Sequence, residues 1–284
     1  MNRRRFVRNT AAALSLGAAA TQWTACSSRP PRRDLRLSAS SLLYKELTLE
    51  QACERIAGLG FEAIDIWSAY EGCPHLDDAA RRLGGAGLRD LLARSRLKLY
   101  AFSTYIGGYE KYAQFLGDAG GGVAVQGSAA ACPPDQLTAR MKAFFEQIAP
   151  LADLAEKHNS WLAIENHTNA LLDSTDSLKA FVELNPHPRV GLALAPYHLQ
   201  ALGASVPEAI KIAGKQLLFF YAWQNGSAMR QLPGLGPTDF RPWLDALADI
   251  HYPRYLNVFM HGYVAPDAMS NALARSRNYL IRPA

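Results

Sequence analysis

The chain has 284 residues, 49% hydrophobic and 19% charged, with mean hydropathy of −0.10, the balance of a globular protein. Its net charge is +5, but residues 1–25 hold four arginines and no acid, so the remainder carries only +1. That excludes the basic footprint of a nucleic-acid-binding domain, and no later apolar run reaches the roughly 18 residues of an interior transmembrane helix.

The N-terminal stretch MNRRRFVRNTAAALSLGAAATQWTACSS places arginines first, then a small-residue apolar run, then Cys26. This is the order of an export signal. Arg3, Arg4, Arg5, Phe6 and Val7 match the twin-arginine pattern of bacterial export. WTACSS resembles a lipobox with Cys26 as the acylated residue, although Trp23 stands at the usual aliphatic position. Cleavage near Ala25 without a lipid is the alternative. SSRPPRR (27–33) cannot build a core and reads as a flexible tether. Residues 1–33 are thus expected to be signal and tether, and 34–284 the folded domain. The destination is periplasmic, or lipid-anchored at the envelope.

From residue 35 short apolar runs alternate with amphipathic segments. Strands are expected at 35–40, 61–67, 97–104, 121–127, 161–166, 189–196, 216–224 and 254–262. Helices are expected at 48–60, 76–96 with a break at its glycines, 133–159, 174–185, 205–214, 237–251 and 267–280. Thr48 is the expected N-cap of the first helix and Gly60 its stop. Cys53 falls on a helix as a packing residue, and Cys73 could pair with Cys132. GDAGGG lacks the Lys-Ser/Thr of a phosphate loop and reads as a turn.

Eight strands alternating with helices in this length predict an α/β fold, a closed (β/α)8 TIM barrel. An open doubly wound sheet would share the alternation, but no G-x-G-x-x-G follows the first strand. In a barrel the C-terminal strand ends meet at one mouth, where catalytic groups sit. Trp67 ends strand two. Glu165 and His167 end strand five in WLAIENHTN. His198 follows strand six, Tyr221, Trp223 and Gln224 end strand seven, and His261 ends strand eight. Tyr105, Tyr197 and Tyr263 add aromatic surface, and His75 is a candidate for a mouth loop. Aromatic faces with polar tips suit a sugar ring.

TLEQACERIAGLGFEAIDIW, LAIENH, VGLALAPYHL and YLNVFMHG together resemble the xylose isomerase-like barrel family of sugar isomerases and epimerases. The resemblance spans roughly residues 35–281. It implies one divalent metal held by Glu, Asp, His and Glu after strands five to eight. Glu165 matches the first of these, but Ala195, Tyr221 and Phe259 stand at the other three. Three of four ligands are absent, so no metal site is expected. Glu165, His198 and His261 form a rearranged set that could hold zinc or iron. The resemblance gives His198 the role of a substrate-contacting histidine.

The sequence therefore supports an exported sugar isomerase- or epimerase-like protein acting next to a carbonyl, or possessing lyase activity. Glu165, His198 and His261 would transfer protons. His167, Tyr221, Trp223, Gln224 and Trp67 would bind a small carbohydrate. The alternative is a metal-free, non-catalytic descendant that binds a saccharide or a protein at the same mouth. No nucleic-acid partner is expected, and membrane contact only through a lipid on Cys26.

Overall fold

A computed structural model describes residues 35–282, so the expectations for signal, tether and Cys26 lie outside the described residues. Eight parallel strands close into a barrel in chain order, with β1 pairing back onto β8. They are β1 (Leu37–Ser40), β2 (Ala63–Trp67), β3 (Lys98–Ser103), β4 (Val123–Gly127), β5 (Trp161–Glu165), β6 (Val190–Leu194), β7 (Leu217–Ala222) and β8 (Leu256–Val258). The expected TIM barrel is the observed fold. No helix among the described residues is long and apolar enough to cross a membrane.

The strands are buried on both faces, and period-two alternation sorts their residues into two cores. On β2, Ile64 and Ile66 join the core under the helices, while Ala63 and Trp67 join the barrel interior. On β7, Phe220 and Ala222 face the helices and Phe219 and Tyr221 the interior. The same alternation runs Trp161, Ala163, Glu165 along β5, with Leu162 and Ile164 on the opposite face. Gly191 in β6 is needed for close approach: a Cβ there would lie 2.3 Å from the Gln216 carbonyl oxygen.

The helices begin where local chemistry satisfies their free N–H groups. In α1 (Leu49–Gly58) Thr48 and Gln51 form a reciprocal capping box. The expected long helix after strand two is broken into α2 (His75–Arg82) and α3 (Gly84–Ser95). Next comes α4 (Gly108–Asp118), in a stretch with no element expected from the sequence. Its buried Tyr109, Tyr112, Ala113 and Leu116 carry the helical spacing. Then follow α5 (Leu137–Lys157), α6 (Thr175–Leu184), the unanticipated short α7 (Pro196–Ala201), α8 (Val206–Ala213), α9 (Arg241–Asp249) and α10 (Pro266–Ile281).

Three expectations change. Strand eight is only three residues long, because the chain leaves the sheet at Phe259 and turns across the mouth. Cys73 and Cys132 do not pair; both are free, as is the buried packing residue Cys53. His75 is not in the mouth. It opens α2, is 1% exposed, and its Nε2 lies 2.9 Å from the Leu47 carbonyl.

Candidate active site

Below the mouth the barrel interior is polar at one point. Asp65 is wholly buried on β2. Its Oδ2 accepts hydrogen bonds from Ser40 Oγ at 2.8 Å, Trp67 Nε1 at 2.6 Å and Asn257 Nδ2 at 3.2 Å. Its Oδ1 accepts one from Ser103 Oγ at 2.9 Å. Ser38 Oγ donates to Asn257 Oδ1, which fixes the amide's orientation. The network joins β1, β2, β3 and β8 and holds the Trp67 indole in place. Burial pushes the Asp65 carboxyl up to about 6, against the four hydrogen bonds that favour its charged form.

Above this network a cavity of about 110 Å³ is lined by Trp67, Tyr70, Tyr105, Glu165, His167, His198, Phe259 and His261. The barrel thus brings five of the sequence-predicted site residues together: Glu165, His198, His261, His167 and Trp67. The strand alternation that buries Ala163 delivers Glu165 to the mouth, and α7 starts at Pro196 so that His198 turns over it. A larger cavity of about 280 Å³ lies at the opposite end, around Trp161, His187 and Lys215. That is the end of a barrel associated with stability.

Glu165 is 7% exposed, and burial pushes its carboxyl up to about 8, with hydrogen bonding from Tyr105 opposing the rise. At neutral pH it is mainly a carboxylic acid. The Tyr105 hydroxyl also lies 2.8 Å from that of Tyr221, which stands behind it. The His167 and His198 rings approach to 3.9 Å between centroids. Burial pushes His198 down to about 3, helped by His167 and His261, so its imidazole is neutral. His261 is also held below its ordinary value by burial, while the neighbouring Glu71 carboxylate opposes that shift.

Tyr221, Trp223 and Gln224 do not line this cavity. Tyr221 and Gln224 have no exposed surface and Trp223 is 1% exposed. Gln224 Nε2 donates to the Leu232 carbonyl and its Oε1 accepts from Thr238 N, so it holds the loop after β7. Trp223 donates to Gln231 Oε1 at 2.7 Å, stacks on Tyr197, and presents its ring to the edges of His198 and His261. These residues support the wall from behind. The sequence reading missed Asp65, Tyr70 and Glu71. The signal for Asp65 was an acid at an inward register of an apolar strand. For Tyr70 and Glu71 it was their place just after a strand end.

The resemblance implies a divalent metal, and the residues at its four positions do not fit one. Ala195 and Phe259 offer no donor atom. Tyr221 spends its hydroxyl on Tyr105, and Phe259 is packed flat against Trp67. In the alternative set, Glu71 engages His261 Nδ1 and leaves only Nε2 of that ring to face an ion. Among the described residues no group of three His, Cys, Asp or Glu is arranged to hold a metal ion.

The chain matches the family described as "Xylose isomerase-like TIM barrel" over residues 53–279, and it belongs to that family. Similar solved structures include D-psicose 3-epimerase in the presence of D-fructose, at 20% identity and TM-score 0.65, covering 87% of this chain and 100% of that one. Apo 3-keto-D-glucoside 4-epimerase from E. coli matches at 14% identity and TM-score 0.67, covering 86% and 99%. The probable 3-DHS dehydratase AsbF from Bacillus anthracis matches at 13% identity and TM-score 0.72, covering 88% and 100%. At these identities the likeness is one of fold. No curated protein matches the chain in sequence.

Proposed function

We propose that this protein moves a proton at the carbon next to the carbonyl of an uncharged sugar or keto-sugar, as an isomerase or epimerase. The observation that carries the reading is the cavity itself. A buried carboxylic acid, Glu165, shares one small aromatic-walled space with the neutral imidazoles of His198 and His261. A neutral carboxylic acid can give a proton to a carbonyl oxygen, and a neutral imidazole can take one from carbon. No lysine or arginine lines the cavity, which favours a neutral sugar over a phosphorylated one. Trp67 and Phe259 offer apolar ring faces, and His198 and His167 offer hydrogen-bonding groups for hydroxyls. Two of the similar folds are sugar epimerases, which agrees with the reading.

The test is proton exchange. Purified protein is incubated with a panel of free ketoses and keto-glycosides in heavy water, and loss of the α-proton is followed by NMR. Exchange on at least one sugar is expected, and Glu165→Gln should lower its rate by about 10²-fold or more. Saccharide binding with no exchange on any member would instead return a binding role.

Export belongs to the same reading and rests on residues 1–33 of the sequence. Replacing Arg4 and Arg5 by lysine should leave the precursor unprocessed in the cytoplasm. Incorporation of labelled palmitate that disappears in Cys26→Ser would support the lipid anchor, whereas an unlabelled, processed wild type would support simple cleavage.

A further inference from the structure

Glu71 follows β2 in the chain, between Tyr70 and Gly72, with a backbone φ of 51° and ψ of 24°. That left-handed conformation is costly for a glutamate and is held where surrounding structure requires it. What requires it here is a set of contacts across the mouth. Glu71 Oε1 lies 2.8 Å from His261 Nδ1. Glu71 Oε2 accepts from the Gly262 N–H and from Lys45 Nζ, each at 3.3 Å. Lys45 Nζ also donates to the Glu71 carbonyl at 2.9 Å. The carboxylate is thus fixed from three directions and addressed to one ring nitrogen.

The consequences for His261 follow from donor and acceptor chemistry. Burial raises the Glu71 carboxyl, but His261, the Gly262 N–H and Lys45 together outweigh it and hold the group below the ordinary carboxylate range, so it is ionised and can only accept. The proton of neutral His261 therefore sits on Nδ1, and Nε2 keeps its lone pair. The ring plane is fixed by edge contacts with Phe259, Trp223 and Trp67, at 4.7, 5.1 and 6.3 Å between centroids. No carboxylate among the described residues is hydrogen-bonded to His198, whose Nδ1 lies 3.5 Å from Thr168 Oγ1. Among the cavity imidazoles, His261 is the one with a carboxylate partner, a negative charge that would stabilise the ring once it gains a proton; His167 Nδ1 meets only the uncharged Thr168 carbonyl, at 2.7 Å.

We propose that Glu71 is a positioning residue that makes His261 the base of this site, holding its tautomer and stabilising the imidazolium formed when the ring takes a proton from carbon. This rests on the proton-transfer reading above. In the step, the C–H bond breaks, its proton goes to His261 Nε2, and its electron pair forms the C=C bond of an enediol. The Glu165 carboxylic acid gives its proton to the carbonyl oxygen. Return of that proton from His261 to the former carbonyl carbon, while the hydroxyl on the first carbon gives its proton back to Glu165, isomerises the sugar and restores both groups. No oxidant or reductant is needed.

The experiment uses protein labelled with ¹⁵N-histidine, with the His261 signals assigned by their absence in His261→Gln. Seven histidines keep the spectrum tractable. Wild-type His261 should show protonated Nδ1 and unprotonated Nε2. Glu71→Gln should lower its titration midpoint by about one pH unit or more, and Glu71→Asp should recover part of that. Lys45→Met, which removes a nearby positive charge and leaves Glu71 in place, should move the midpoint upward. His167, His198 and Glu165 also face the ring's surroundings and are unchanged in these variants. On any sugar the wild type exchanges, Glu71→Gln should lower kcat by about 10²-fold with little change in KM. An Nε2–H tautomer in the wild type, or a midpoint unmoved in folded Glu71→Gln, overturns the proposal. So does a shifted midpoint with unchanged kcat. Absence of exchange by the wild type on every sugar would refute the isomerase reading, while the spectra would still decide the tautomer and the pairing.

Discussion

The indole of Trp67 lies flat against the ring of Phe259, with centroids 4.8 Å apart and planes within 8° of parallel. Phe259 stands where the family pattern places a strand-eight carboxylate ligand. At that position the resemblance thus meets an aromatic ring stacked on Trp67, with no donor atom to offer. Phe259 is 1% exposed and also meets Tyr221, Trp223 and His261. Phe259→Ala should cost about 3–5 kcal/mol, the usual range for emptying a buried phenylalanine site. Urea denaturation checks this: the midpoint should fall with little change in slope, and an unmoved midpoint would show that the pair is not part of the core.

The same positions give a prediction about metal. Wild-type protein dialysed against Mn²⁺ or Zn²⁺ and then washed should retain well under one equivalent. The combined variant Ala195→Asp, Tyr221→His, Phe259→Glu supplies the missing donors beside Glu165 and should approach one equivalent. Elemental analysis reads both proteins, with circular dichroism as the check that the variant is folded. Stoichiometric retention by the wild type would contradict the argument from its donor atoms.

Asp65 should be a keystone of the barrel interior. Asp65→Ala leaves the Trp67 N–H and the Ser40 and Ser103 hydroxyls without their acceptor in a dry interior, while Asn257 keeps Ser40 Oγ at 2.7 Å, and each unsatisfied buried group costs about 1–3 kcal/mol. A loss of at least about 3 kcal/mol is expected. Asp65→Asn should lose much less, because its oxygen can take the crowded Oδ2 position and its NH₂ can donate to Ser103 Oγ. Equal destabilisation by the two changes would show that the charge, rather than the acceptor geometry, matters.

How much of this was legible in the sequence varies by element. The barrel was legible because strands buried on both faces give unbroken apolar runs, such as LLFFYA in β7. Glu165, His167, His198, His261 and Trp67 were legible because strand ends in such a barrel share a mouth. Gln224 and Trp223 obey the same rule yet are covered, because the loop carrying Gln231, Leu232 and Thr238 folds back on them. A strand-end rule cannot see a loop closing over it. Glu71 was hidden for a related reason. Its partner lies 190 residues away, and nothing in YEGCP indicates which side of the mouth that carboxylate will reach. Helix α4 is short and flanked by glycines on both sides, which mask its regular Tyr109, Tyr112, Leu116 spacing.

Glu165 yields the last prediction. Burial raises its carboxyl from an ordinary 4.5 to about 8. In that window the folded protein keeps a proton that the unfolded chain has released. The associated stability is complete below about pH 4.5 and is lost as pH rises through 8. Glu165→Gln has no such titration. Thermal melts from about pH 5 to 9 should show the variant gaining on the wild type by several degrees as pH increases. Proton exchange should follow the same group, with the wild-type rate falling above about pH 8 as the acid ionises. The Tyr105 hydrogen bond favours the ionised form, so Tyr105→Phe should move that alkaline limb to higher pH. Parallel stability curves for wild type and Glu165→Gln, together with an alkaline limb unmoved by Tyr105→Phe, would mean that Glu165 is not held as a neutral acid.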